Sequence, residues 1–364
     1  MPVFRWTWIA AFVAGVALAV APSLSRAHVV MGMTTVRLLT LQSDLVARVR
    51  IVDPEEAFVL DDPPLHETVV VAEILEAYKG AYADEHLRFV QRGHGVVQYA
   101  KDDEVILFVR RIEKNSELAN SRLAKHVGWV SEQESGTEFR LDEDTRDDIA
   151  NAVRAYAMLE KLAPEARPDA LRRITIEMLG SPRQELAASA LRDLVLSQNA
   201  AIVTSGDLVV LEPLLDSPST PIGIRIGLLA ELERRRLIEA PSRWVALIRT
   251  TRGTERQAVV RAAAAHPSEP VANALLELLS SDDVQLVATT AVALGSMRND
   301  VVVEPLARLL GSQDPRLRMA AIRGLGRVGT SAALKALSGA AESHLDSETR
   351  RRARAEVQIL TRDP

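Results

Sequence analysis

A 31-residue period in the second half of the chain limits its possible folds more than any other feature. Leu275, Leu278 and Leu279 fall on Leu306, Leu309 and Leu310, Asp283 falls on Asp314, Leu286 on Leu317, Leu294 on Leu325 and Gly295 on Gly326. A third copy follows with a one-residue slip, placing Leu306 on Leu337, Asp314 on Asp346 and Ala321 on Ala353. Periods of this length mark stacked supersecondary units, none of which buries its apolar face alone. In the clearest unit, Leu317, Ala320, Ala321, Gly324, Leu325 and Val328 recur along one face of a helix. Asp314-Pro315 supplies an N-cap and a favoured first helical residue. Each unit therefore reads as two amphipathic helices, and the region as a helical solenoid.

Earlier units are degenerate, but Pro182 to Leu196, Pro221 to Arg236 and Thr254 to His266 read as second helices of further pairs. About six pairs fit between Pro168 and the C-terminus, after a joining helix over Thr145 to Leu162. The stretch "DPRLRMAAIRGLGRVG" resembles the HEAT-repeat family, especially the short repeats of the phycobilin-lyase type. The resemblance implies that an aspartate caps the second helix and that an arginine four positions later pairs with its neighbours. Asp314 and Arg318 match; Asp283 matches in the preceding unit, where Val287 interrupts the arginine ladder. It also implies a protein-binding scaffold without enzymatic activity, with the second helix of each pair lining the concave side. On that basis Met319, Arg323 and Arg327, off the apolar stripe, are the expected partner-binding residues. Arginine and methionine suit an interface because one gives bidentate contacts and the other adapts its shape. The competing reading is an ordinary solvated face.

Aromatic residues place a boundary near residue 142. Eight lie in 28–142 and two, Tyr156 and Trp244, in 143–364. The first segment carries 13 Lys and Arg against 20 Asp and Glu, whereas the second carries 29 of each. Aromatic and β-branched residues suit pleated sheets, and Ala, Leu and Arg suit helices. Strands are expected at Leu45 to Ile51, Thr68 to Leu75, Leu87 to Val90 and Glu104 to Ile112, with a hairpin formed by Val127 to Ser131 and Thr137 to Leu141. Val105 to Val109 is apolar throughout and belongs at the centre of the core. Val36 to Gln42 reads as a short capping helix. "SDLVARVRIV", "ETVVVAEILEAYKG", "LRFVQRGHG" and "DDEVILFVRRI" resemble a small exported bacterial β-barrel module, which implies a fold but no activity. The expected fold class is α+β multidomain: a small antiparallel β-barrel or sandwich over 28–142, a joining helix in 143–166 and a HEAT-type solenoid over 167–364.

The first 27 residues have the pattern of a signal peptide. Arg5 gives the positive start, Ile9 to Ala21 an apolar run, and Ser25-Arg26-Ala27 a cleavage site. The run is shorter than the roughly 20 residues a membrane helix needs. The expected product is periplasmic or secreted, begins at His28 and has no membrane span after cleavage. Its expected partner is another envelope or secreted protein. The chain has no cysteine, so disulfides, Cys-ligated zinc, iron–sulfur clusters and thiol catalysis are excluded. A net charge of −5 argues against a nucleic-acid partner.

Four features bear on chemistry. Gly324-Leu325-Gly326-Arg327-Val328-Gly329 fits G-x-G-x-x-G, but it ends a helix inside a repeat, where packing and capping account for it. His28 at a new N-terminus, with Met31 and Met33 nearby, is an alternative copper site. Arg92-Gly93-His94-Gly95 is a possible ligand loop, with Arg92 and His94 as its polar groups, and supports an alternative small-ligand or glycan site in the acidic β domain. The runs Arg234 to Arg236 and Arg350 to Arg352 read as helix faces offset by neighbouring glutamates. No cofactor, metal site or catalytic constellation is expected.

Overall fold

The computed structural model describes residues 35–362 except 62–63, 94–97, 114–126, 132–138, 143, 145 and 197–202. The signal segment, His28 and His94 lie outside the described residues. The chain divides into two compact units between Thr220 and Pro221.

The first unit opens with helix α1 (Val36–Gln42), capped by the Thr35 hydroxyl, which accepts from the Leu38 amide. Strands β1 (Leu45–Asp61), β2 (Pro64–Lys79), β3 (His86–Gly93), β4 (Glu104–Arg111), β5 (Trp129–Ser131) and β6 (Phe139–Arg140) follow. Pairing runs β1-β2-β3-β5-β4 and returns from β4 to β1, so five strands close a barrel and β6 adds to β4. Its topology is that of an OB-type barrel. Alternation places Leu45, Ala47, Val49 and Ile51 of β1 inside with Val70, Ala72, Leu87, Phe89, Val105, Leu107 and Val109. β4 is buried on both faces, since Ile106 and Phe108 are also fully covered, as its unbroken apolar run requires.

Three strand expectations need correction. The segments around Val130 and Phe139 do not form a hairpin with each other. Instead β5 pairs with Val109 to Arg111 and β6 with Val105 and Ile106 of β4. The barrel also contains one parallel pair, β3 with β5 at Val90 and Val130. β4 offers a buried row of backbone groups long enough for two short partners, which decides against local pairing. β1 and β2 are also longer than their apolar cores suggest, continuing as a ribbon to Asp61 and Pro64.

Helices α2 (Arg146–Leu159), α3 (Arg167–Leu179), α4 (Gln184–Leu196) and α5 (Leu208–Asp216) complete this unit. The Lys79 ammonium donates to the Thr40 and Leu41 carbonyls at the end of α1, and to Glu160, tying barrel to helices. A deeper tie is made by Asp193 of α4, only 2 % exposed. It accepts from the Thr35 hydroxyl at 2.7 Å, Arg37 Nε at 3.1 Å and the Tyr156 hydroxyl at 3.4 Å. Burial pushes the Asp193 carboxyl up, while Arg37 and the two hydroxyls pull it back. The Val36 amide adds a bond to Ser189 Oγ at 2.9 Å.

The second unit holds α6 (Ile222–Arg234), α7 (Pro241–Thr250), α8 (Gly253–Ala263), α9 (Glu269–Glu277), α10 (Val284–Ser296), α11 (Val303–Leu310), α12 (Pro315–Val328), α13 (Ser331–Ser343) and α14 (Ser347–Arg362). Pairs α7/α8, α9/α10, α11/α12 and α13/α14 pack together. The second helices also pack in a row, α6 on α8, α8 on α10, α10 on α12 and α12 on α14. Asp283 and Asp314 cap α10 and α12 as the repeat pattern requires. Because this unit has its own continuous core, we expect residues 221–364, expressed alone, to give a helical circular-dichroism spectrum and a cooperative melt. A spectrum of unfolded chain would refute its independence.

Candidate functional site

The row of second helices creates a groove within the second unit. Residues 284–296 of α10 contain no charged side chain. Beyond Gln285 at its start, their outward stripe is short: Ala288, Thr289, Val292 and Ser296. The flanking helices carry longer residues, Arg261 on α8 and Arg316, Met319, Arg323 and Arg327 on α12. Short side chains between two banks of long ones leave an open hollow of about 680 Å³. That volume lies within the range of about 300–1,000 Å³ found for ligand-sized clefts.

The spacing 316, 319, 323, 327 places these four residues on one stripe of α12. Over 11 residues at about 1.5 Å rise, that stripe is about 16 Å long. Arg323 and Arg327 are exposed and Met319 is half-buried. Sequence reasoning thus placed Met319, Arg323 and Arg327 on a common surface, and the structure brings them together. It missed Arg261, because phase within one helix says nothing about which helix lies across the groove.

The four arginines differ in their commitments. Arg316 closes a fork on Asp314, with Nη2 to Oδ2 at 2.7 Å, and this holds the Asp314 carboxyl below its usual range. Arg327 Nη1 reaches Ser296 Oγ at 3.2 Å on α10. Arg261 and Arg323 make no hydrogen bond or ion pair among the described residues; Arg323 acts on Glu356 only through its charge. Arg318 points elsewhere. It donates to the Ser312 and Gln313 carbonyls and to Thr349 Oγ1 at 2.9 Å, and lies 3.5 Å from Asp346. It therefore joins α12 to α14. Arg350 repeats the pattern on the carbonyls of His344 and Leu345.

Residues 272–358 match the family model for HEAT repeats. The match runs from α9 into α14 and includes two of the three groove-forming helices. No curated protein matches the chain. Among solved structures, it is similar to YibA of Escherichia coli at 15 % identity, covering 58 % of this chain and 77 % of that one with a TM-score of 0.40. An engineered protein is 21 % identical over 60 % of this chain and 66 % of its own, TM-score 0.36. Human deoxyhypusine hydroxylase in complex with glycerol is 16 % identical over 59 % and 85 %, TM-score 0.31. A HEAT-type solenoid suggests an interaction scaffold, because its stacked repeats expose a long, regular surface.

The other sequence candidates are placed as follows. Arg92 lies in β3, where its backbone pairs with Glu67 of β2. Gly329 adopts φ 67° and accepts the role of C-cap for α12, while Gly324 lies against α10, so the glycine motif serves packing. Arg234 and Arg235 are held by Glu231, and Arg351 and Arg352 by Glu348.

Proposed function

We propose that this chain is an exported, non-enzymatic scaffold of the bacterial cell envelope that docks another envelope or secreted protein on the row α8, α10 and α12. The observation that carries this reading is the convergence of Met319, Arg323 and Arg327 with Arg261 around one open groove. Export rests on the first 27 residues; among the described residues, no helix is long and apolar enough to cross a membrane. N-terminal sequencing of the mature protein should return His28, and a product that still begins at Met1 would remove the basis for export.

The groove is tested by charge reversal. Arg323→Glu with Arg327→Glu should abolish quantitative capture of the partner from envelope extracts. Both side chains are exposed, so the variant should stay within about 0.5–1 kcal/mol of the parent in a denaturant melt. Arg318→Ala is the contrast. It removes bonds that link α12 to α14 and should cost about 1–3 kcal/mol of stability while sparing capture by the folded protein. Undiminished capture by the double variant would exclude this surface as the docking site.

A further inference from the structure

We infer that the occupant of this groove is an acidic protein segment, bound in extended form with an apolar residue set against Met319. This rests on the docking function proposed above and states the chemistry of its partner.

Charge complementarity is the first ground. The groove's lining includes four arginines and no carboxylate. Two of those guanidiniums, Arg261 on one bank and Arg323 on the other, have no hydrogen-bonded or ion-paired protein partner among the described residues. Arginine presents a planar fork that matches a carboxylate, and a charged hydrogen bond is stronger than a neutral one. The surrounding unit reinforces the local sign: residues 221–364 carry 21 Lys and Arg against 16 Asp and Glu, although the whole chain is at −5. A basic groove on an acidic chain raises the local concentration of an anionic segment while the rest of the molecule repels it, which favours binding at this site over others.

Spacing is the second ground. Arg323 and Arg327 are one helical turn apart, about 6 Å along α12. An extended peptide rises about 3.3 Å per residue, so carboxylates two positions apart meet both arginines. Side chains two apart also lie on the same face of such a peptide. The intervening positions would face away, and the short floor of Ala288, Thr289 and Val292 leaves room for the backbone.

The lining also argues for a peptide over a nucleic acid. Single-stranded nucleic acid is held by aromatic platforms on which bases stack. This groove has none; its apolar surface is Met319 with Ala288, Val292, Ala293, Pro315 and Ala320. Methionine adapts to varied apolar side chains.

The test uses the full mature chain and fluorescence anisotropy with four labelled probes of matched length: a Glu/Asp-rich peptide with a central leucine, its Lys-rich and Gln-rich counterparts, and single-stranded DNA. The acidic peptide should bind best and weaken as salt rises. Arg261→Gln with Arg323→Gln should weaken it at least tenfold. Arg249→Gln with Arg308→Gln removes the same charge outside the groove and should change affinity less than threefold. Equal losses in the two double variants would show a diffuse charge effect and overturn the assignment. Tighter arginine-dependent binding of DNA would overturn it in favour of a nucleic-acid groove. Best binding by the Gln-rich or Lys-rich peptide, lost in the Met319→Asp variant, would overturn the acidic partner but leave the docking site standing. If no peptide binds, the acidic partner is overturned, and the envelope capture experiment then decides the docking function separately.

Discussion

Gly295→Val should cost about 3 kcal/mol or more, at the upper end of the overpacking range. Gly295 of α10 and Gly324 of α12 meet backbone to backbone. A Cβ placed on Gly295 would lie 2.7 Å from Gly324 Cα and 2.8 Å from its carbonyl carbon. Backbone cannot rotate aside as a side chain can, so the helices must separate and loosen the buried contacts of Leu294 and Leu325. Gly339→Ala is the control. Its Cβ would meet nothing within 4 Å, so the substitution should gain about 0.4–1 kcal/mol through the unfolded state. Denaturant melts of both variants check the pair; a Gly295→Val protein as stable as its parent would show that the close approach is absent.

The second large effect is expected at Glu231. Its carboxylate is 3 % exposed and receives Arg234 Nη2 at 2.6 Å and Arg235 Nε at 2.7 Å. Arg235 is itself only 6 % exposed. Glu231→Ala therefore takes the carboxylate from a buried guanidinium, and a loss of about 3–5 kcal/mol follows. Replacing Glu231 and Arg235 together, by Leu and Met, should recover much of that loss, because the cost lies in a buried guanidinium deprived of the Glu231 carboxylate. Glu348 offers the matched comparison. It pairs with Arg351 and Arg352 at the same spacings, but on an exposed surface, and Glu348→Ala should leave the melt nearly unmoved. Comparable losses for the two alanine variants would contradict this account.

That comparison shows what the sequence can carry. "ELERR" and "ETRRR" each place a glutamate three and four positions before two arginines, yet Glu231 and Arg235 are buried while the Glu348 trio is solvated. Burial depends on neighbouring helices, which local spacing does not encode. The repeat period and helix phase were legible because they recur many times, and they placed the α12 stripe correctly. The sequence alignment put Gly295 on Gly326, whereas Gly295 touches Gly324, and Gly326 lies against Glu356. Equivalence between repeats is legible in a sequence; contact between successive repeats involves a different pair of positions. In the barrel, Asp53-Pro54-Glu55-Glu56 resembles a strand break, yet β1 continues through it with shifts in register. The false hairpin arose because local pairing is the simplest arrangement for two short strands, while the winning partner, β4, lies 18 to 35 residues earlier in the paired positions. Asp193 left a usable sign: a carboxylate on the same stripe as Leu186 and Ala190 must find buried partners.

Those partners impose an order on synthesis. Thr35 and Arg37 stand at the beginning of the described chain, but the carboxylate that holds them is more than 150 residues downstream. At ribosomal rates of about 5–20 residues per second, α1 waits roughly 8–30 s before its anchor exists. Contacts so distant along the chain slow folding, since a long loop must close before they contribute. The start of the leading helix is thus a latch that cannot close before α4 has been made. Until then α1 can be held at its other end, where Lys79 meets the Thr40 and Leu41 carbonyls, while the start of the helix still lacks its buried anchor.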